Sequence, residues 1–375
     1  MKRIYQILLG IVIAVLLVAG VCFGFVWNKL SLLSYDDSSL GGISSEQVKE
    51  SETSTPENAD VDESDVLTEE DVQDLVVLEG EPVIPDWDIF SDDDVVNILL
   101  VGTDEHTQDF SENARSDSMM IASINKRTKS AKLVSLERGI GVPVLAGEYE
   151  GQYDWLTHIF RYGGADLLLE TVRTCFRVDV DRYVRVNLNT LIQIVDSIGG
   201  VEISLTQEEA DYFAAVHGHE ELNCLVPGLN HMNGTQALAY ARLRKTDSDW
   251  KRVERQRNVI QQVIYGAKGM NLLEINSFAD NVLPLIKTNL TKGEIAALIL
   301  IAPDFVGTTI DQMTIPQAGT YGSMIGMGGR HLFAVDFEAN AKILQEFLYA
   351  DELETDGGSV SLDSNSSSSE MKTVG

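Results

Sequence analysis

Between Arg242 and Arg257 the sequence carries seven basic residues and three acidic ones, in a 375-residue chain whose formal net charge is −30. A local basic site in an acidic molecule suggests a specific anion. Arginine outnumbers lysine there, and its planar fork grips phosphate oxygens in pairs. If Tyr240 to Arg244 is extended, Arg242 and Arg244 point to the same side. If Asp249 begins a helix, Asp249, Arg252 and Gln256 share one face, with Arg255 beside them. Two other clusters accompany this one: Gly102-Thr103-Asp104, and Arg115-Ser116-Asp117 with Arg138 further on. The first follows an apolar run of strand length, where open α/β sheets bind ligands. Taken alone, the arginine stretch is equally well read as a solvated helix face laced with ion pairs.

Other chemistries lack their residues. There is no P-loop and no dinucleotide fingerprint, no zinc-type Cys/His spacing and no supported Ser-His-Asp or Cys-His pairing; the six histidines are scattered. Cys175 and Cys224 could pair in an oxidising compartment, the alternative being two free thiols. The acidic balance disfavours nucleic acid as a partner.

The elements that must position these residues lie between two acidic flanks. Residues 7–27 form an uncharged apolar run preceded by Lys2 and Arg3. A helix of that length is about 31 Å long, enough to span a bilayer. The basic N-terminus places residues 1–6 inside and the chain after Trp27 outside the cytoplasm. Residues 28–94, with 21 acidic side chains and one basic between Asp36 and Asp94, are expected to be a disordered spacer; the patch Val72 to Leu78 could instead dock on the domain. The Ser-rich acidic tail, 351–375, is also expected to be disordered. The folded domain is then 95–350.

Within it the pattern is mixed α/β. Strands are expected at Val95 to Val101, Ser118 to Ile124, Ala131 to Leu136 and Val201 to Leu205. Helices are expected at Ala165 to Phe176, Asn189 to Ile198 and Trp250 to Tyr265, with Asn233 capping another that runs through Ala237 to Tyr240. Gly293 to Ala302 is apolar throughout but too short to span a bilayer, and reads as a buried core helix. Strands interleaved with helices imply a sheet covered on both faces.

The clusters, in this order, resemble the LytR-CpsA-Psr family of cell-envelope phosphotransferases. The resemblance rests on Asn97 to Asp104, Ala114 to Ser118, Val134 to Arg138, Tyr162-Gly163-Gly164, Ile194 to Val201, Pro227-Gly228, Asn233 to Arg242 and Arg255-Gln256. It implies a three-layer α/β/α sandwich with a central mixed sheet and an apolar tunnel for a polyprenyl chain. It further implies transfer of a teichoic-acid- or capsule-like glycopolymer from an undecaprenyl-pyrophosphate carrier onto peptidoglycan. By the same resemblance Asp104 and Asp117 match carboxylates near a magnesium ion. Arg115, Arg138, Arg242, Arg244 and Arg252 match the pyrophosphate clamp, and Asp249 and Gln256 match polar positions that orient it. Asp117, Arg138 and Asp249 are the expected catalytic residues, with Asp117 or Asp249 as base. The helices Leu167 to Phe176 and Leu188 to Ile198 are candidates for the lipid wall. Two positions depart from the family pattern: Gly139 where an aspartate usually follows the arginine, and Trp155 where a lysine is often found. These departures favour one rival reading, a non-catalytic polyprenyl-phosphate-binding scaffold or regulator; a hydrolase of the same pyrophosphate is a second rival.

Overall fold

The computed structural model describes residues 27–36, 67, 69–73, 75–77, 81–105, 114–216, 220–243, 249–305 and 308–353, without the side chains of 69, 70, 249, 272, 303 and 350–353. The expected membrane helix, except Trp27, and the tail from 354 lie outside these residues. Among the described residues no helix is long and apolar enough to cross a membrane.

In chain order, strand β1 (Ser34–Tyr35) and the short helix α1 (Glu69–Val72) precede β2 (Val95–Thr103), β3 (Ser116–Asn125) and β4 (Ser130–Leu136). A hairpin of β5 (Gly141–Pro143) and β6 (Tyr153–Trp155) leads into α2 (Leu156–Phe176), β7 (Arg182–Asn187) and α3 (Leu188–Ser197). Next come β8 (Val201–Leu205), α4 (Gln207–Ala215), β9 (Gly228–Met232), α5 (Gly234–Arg242) and α6 (Asp249–Lys268). The chain ends with α7 (Leu272–Val282), β10 (Lys287–Thr288), α8 (Lys292–Ile301), β11 (Ile310–Ile315), the hairpin β12 (Tyr321–Ile325) and β13 (His331–Val335), and α9 (Phe337–Leu353).

Seven strands make one mixed sheet in the order β1-β10-β7-β2-β3-β4-β11, flanked by helices. β2, β3 and β4 pair antiparallel, while β2 pairs with β7, and β4 with β11, in parallel. Alternation along β2 and β3 divides the two sides of the sheet. Leu99, Val101, Met119 and Ile121 are almost fully buried in the main core with Leu167, Leu168, Val172 and Phe176 of α2 and Leu344 and Leu348 of α9. Leu167 to Phe176, a candidate lipid wall, is therefore core packing. Leu100 and Met120 instead face a cavity roofed by α3, α5 and α6. Those helices form a second core around Val195, Ala237, Tyr240 and Val259.

Local signals set the helix starts. Asn233 accepts from the Gln236 backbone N–H while Gln236 returns a bond to the Asn233 N–H, a reciprocal cap. α2 runs through the Gly163-Gly164 step with a kink, Gly164 taking φ +65°, a region a side chain disfavours.

Three expectations are corrected. Tyr240 to Arg242 is the last turn of α5, not an extended segment, because the capped helix continues past Tyr240. α8 forms where expected, but none of its residues is buried: it lies outside the sheet's cores. Residues 28–94 are not wholly a disordered spacer. Leu30 and Leu33 are buried, β1 pairs with β10 at the sheet edge, and Leu67 and Val72 join the main core, with Leu75, Ile84 and Phe90 packed against it. A few apolar anchors spaced through acidic sequence suffice to dock it, because each buried aliphatic or aromatic side chain contributes about 1.5–3 kcal/mol. Leu67→Ala is expected to lower unfolding stability by about 2–3 kcal/mol, since Leu67 is only 5% exposed; denaturant melts of the full chain test this, and unchanged stability would show that the segment does not dock.

Candidate active site

The sequence-singled residues converge on one cavity of about 370 Å³. Asp104, Arg115, Asp117, Arg138, Arg242, Arg252 and Gln256 line it, with Thr103, Ser118 and Asn187. The rest of the wall is apolar, from Leu100, Met120, Val186, Leu188, Leu191, Leu238, Val259 and Ile260. Of the second candidate lipid wall, Leu188 and Leu191 reach the cavity. One cavity thus combines four arginines with a large hydrocarbon surface.

Asp104 sits just past β2, Arg115 just before β3, and Arg138 just past β4. Antiparallel pairing brings these ends together, with a register shift between Gly102 and Thr103. Asp104 holds Arg115 twice: Oδ1 accepts the Arg115 backbone N–H at 2.9 Å and Oδ2 accepts Nε–H at 3.0 Å. Asp117 Oδ1 lies 3.6 Å from Arg138 Nη1 and 4.0 Å from Arg115 Nε. The two carboxylates therefore hold two arginines close together against their mutual repulsion. Arg138 is almost fully buried. Arg115 Nη1 is buried without a hydrogen-bond partner among the described residues. An unsatisfied guanidinium N–H on a cavity wall is costly unless an anion takes it.

α6 begins at Asp249, and its Arg252 and Gln256 both reach the cavity, as their helical spacing requires. Arg252 is only 4% exposed. Arg242 is the exposed last residue of α5. Arg244 and the Asp249 side chain lie outside the described residues. Arg255 and Arg257 turn elsewhere. Arg255 donates to Glu209 at 2.7 Å and to the Leu243 carbonyl at 2.8 Å, tying α6 to α4. Arg257 donates to the Met313 carbonyl at 3.0 Å on β11. The basic stretch is thus divided between cavity-facing and structural arginines.

Behind the site, the start of α2 clamps the arginine strands. Ser116 Oγ donates to the Thr157 carbonyl at 3.2 Å, and Thr157 Oγ1 donates to the Ser116 carbonyl at 3.0 Å. The Thr157 N–H donates to the Arg138 carbonyl at 3.2 Å. One residue later His158 shares a 2.9 Å hydrogen bond with Asp154, which also accepts from Tyr162 at 2.5 Å. Arg330 approaches Asp154 at 3.7 Å. Burial pushes His158 below its ordinary value, outweighing the pull of Asp154. Burial raises Asp154, but the hydrogen bonds from His158 and Tyr162 and the Arg330 charge bring it below the usual carboxylate range. The resting state is neutral His158 beside ionised Asp154.

Each departure from the family pattern has a structural counterpart. A Cβ on Gly139 would lie 2.6 Å from Leu67 Cδ1, so the docked N-terminal segment fills the space an aspartate would need. Trp155 is buried, donates its indole N–H to the His331 carbonyl at 2.7 Å and lies beneath the Arg330 guanidinium at 5.5 Å. Neither residue lines the cavity. Cys175 and Cys224 are both free, one buried and one exposed.

Comparison with known proteins agrees with this geometry. The LytR_cpsA_psr family matches residues 45–347, and the chain belongs to it. It is 35% identical over 204 residues to the polyisoprenyl-teichoic acid–peptidoglycan teichoic acid transferase TagU of Bacillus mycoides, a match covering 53% of this chain and 62% of that protein. It is 35% identical over 188 residues to biofilm regulatory protein A of Streptococcus mutans, covering 47% and 45%. A solved structure of TagT bound to LIIa-WTA superposes with a TM-score of 0.52 and 26% identity, over 68% of this chain and 91% of that one. The structure of B. subtilis TagV gives 0.54 and 25%, over 69% and 98%.

Asn187 and most of the apolar lining residues were not singled out from the sequence, while Thr103 and Ser118 were named only as members of the stretches that carry Asp104 and Asp117. A signal existed in the alternation of Leu100, Gly102 and Asp104 along β2 and of Ser118 and Met120 along β3, which marks a second face distinct from the core.

Two outcomes are expected. Gly139→Asp is expected to displace Leu67 and cost about 1–3 kcal/mol by overpacking. The double variant Leu67→Gly/Gly139→Asp is then no less stable than Leu67→Gly alone, as denaturant melts would show. As for pH, unfolded His158 titrates near 6.5 and folded His158 lower, so the unfolded chain binds the extra proton between the two values and stability falls as pH drops below about 6.5. His158→Gln is expected to flatten that part of the melting-temperature profile; an unchanged slope would exclude His158 as its source.

Proposed function

We propose that this chain is an extracytoplasmic phosphotransferase, anchored by residues 7–27, that moves a glycopolymer from an undecaprenyl-pyrophosphate carrier onto peptidoglycan. The single observation that carries the proposal is the joining of four arginines and an apolar wall in one cavity. A free phosphate or nucleotide gives no reason for that wall, and a plain lipid gives none for the arginines. The named activity of the TagU relative supports the same reading.

In this reading the polyprenyl chain lies along Leu100, Met120, Leu188, Leu191, Val259 and Ile260, and the pyrophosphate is held by Arg115, Arg138, Arg242 and Arg252. Arg244 and Asp249 are assigned to the same site by the family pattern. A peptidoglycan hydroxyl attacks the glycan-side phosphorus. The bond to the bridging oxygen breaks, and undecaprenyl phosphate leaves with that oxygen. The hydroxyl proton passes to a carboxylate, for which Asp117 is placed on the cavity wall and Asp249 is the alternative. Phosphoryl transfer asks mainly for positioning and charge stabilisation, which fixed arginines provide.

The donor set also fits magnesium. Asp104 and Asp117 together with substrate oxygens make the kind of site that ion prefers, one or two carboxylates plus phosphates. Among the described residues no group of three or more metal-ligating side chains occurs, so on the protein side these two carboxylates would hold the ion, with substrate oxygens completing its shell. When bound, it would neutralise charge developing on the departing phosphate.

Incubating the full chain with a polyprenyl-pyrophosphate glycan, magnesium and peptidoglycan tests the proposal. Transfer supports it; release of free glycan phosphate would make the protein a hydrolase, and no turnover a binding scaffold. Arg242→Ala is expected to lower transfer at least about 10-fold, since a charge-assisted bond contributes about 1.5–3 kcal/mol. Because Arg242 is exposed, stability should change by less than about 0.5 kcal/mol.

A further inference from the structure

α8 is apolar along nearly its whole length, Ile295-Ala296-Ala297-Leu298-Ile299-Leu300-Ile301, yet none of its residues is buried. Leu300 is 80% exposed and Ile299 47%. α7 adds Leu273 at 81% and Ile275 at 47%. A helix apolar on all sides normally belongs in a core or in a membrane, and an exposed apolar patch of this kind marks an interaction surface.

The covering partner is indicated by the chain that runs into this face. Residues 7–27 form the apolar run, and its last residue, Trp27, is 44% exposed. Lys292 Nζ, at the first position of α8, lies 5.6 Å from the Trp27 ring and 5.7 Å from the Tyr35 ring. Lys29 forms an ion pair with Asp280 near the end of α7. β1, a few residues later, pairs with β10, the strand between α7 and α8. The segment leaving the apolar run is thus fastened to both helices. α8 is only about 15 Å long, so its exposed end cannot lie far from the point where the chain leaves the bilayer. Trp27, Lys29 and Lys292 have the aromatic and basic character that settles at a membrane–water boundary.

We infer that α7 and α8 form a lipid-docking face, lying in the interfacial layer of the bilayer that holds residues 7–27. The inference rests on the anchored reading given above. A shallow insertion of about 5–10 Å, typical of interfacial helices, would bury Leu273, Ile299 and Leu300 among acyl chains. The domain is then seated on its membrane at two points, the anchor and this face, and cannot swing freely about Trp27.

The experiment uses the full chain with Cys22→Ser and Cys224→Ser, reconstituted in phosphatidylglycerol/phosphatidylcholine vesicles. A nitroxide is attached through Leu300→Cys, Leu273→Cys, Asp311→Cys or Leu16→Cys in turn. Asp311 lies on β11, at the sheet edge opposite β1. All four variants should keep the parent circular-dichroism spectrum. The expected result is that oxygen relaxes the labels at 300, 273 and 16 more than a water-soluble nickel complex does, with the order reversed at 311. Labels at 300 and 273 that behave like that at 311 overturn the inference. So do labels sheltered from both reagents, which means a protein cover, with dipolar broadening identifying a second copy. The reading at 16 separates the two claims. A lipid signal there with aqueous 300 and 273 removes the docking face and leaves the anchor. An aqueous signal there removes the anchor, while lipid signals at 300 and 273 still uphold the face.

Discussion

Two aspartates holding two arginines against each other are the constraint on which the site depends. Asp104 binds both the backbone and the side chain of Arg115, and Asp117 stands between Arg115 and Arg138. Without those carboxylates, guanidinium groups at the ends of adjacent strands would repel and splay. With them, positive charge is fixed before any ligand arrives, and a phosphate need not reorganise its surroundings to be stabilised. The clamp beneath, through Ser116 and Thr157, fixes the backbone that carries both arginines.

That arrangement in turn requires a sheet with two different faces. One face of β2 and β3 is committed to the core with α2 and α9. The other is left open to a cavity whose roof is α3, α5 and α6. The same alternation that packs Leu99 and Val101 inward turns Leu100 and Gly102 toward the cavity. The roof helices carry Arg242, Arg252 and Gln256, so charge meets charge across the cavity mouth while hydrocarbon lines the rest.

Much of this was legible in the sequence, for identifiable reasons. The strands 95–103, 116–125 and 130–136 show in the sequence as short strand-length segments, the first an apolar run and the other two joined by a basic turn, and Asn233 caps its helix as its residue type suggests. Helical spacing placed Arg252 and Gln256 together. Arg255 and Arg257 are chemically indistinguishable from Arg252 in sequence, and only the positions of Glu209, Leu243 and Met313 show them to be structural. Leu67 was hidden because its partner, Gly139, is 72 residues away and carries no side chain. α8 was misplaced because composition reports that a helix is apolar, not what covers it. The absent aspartate at 139 and the docked segment at 67 prove to be one feature: the space is already filled.

The central claim is that one cavity reads a pyrophosphate and a prenyl chain together. Calorimetric titration of the full chain with farnesyl pyrophosphate, inorganic pyrophosphate and farnesol tests this most directly. The account predicts that farnesyl pyrophosphate binds at least about 10-fold more tightly than either of the others, because charge and apolar burial add. It also predicts that Arg252→Lys weakens farnesyl pyrophosphate and leaves farnesol unchanged. Equal affinity for inorganic and farnesyl pyrophosphate would contradict the account, since the apolar wall would then have no part in recognition.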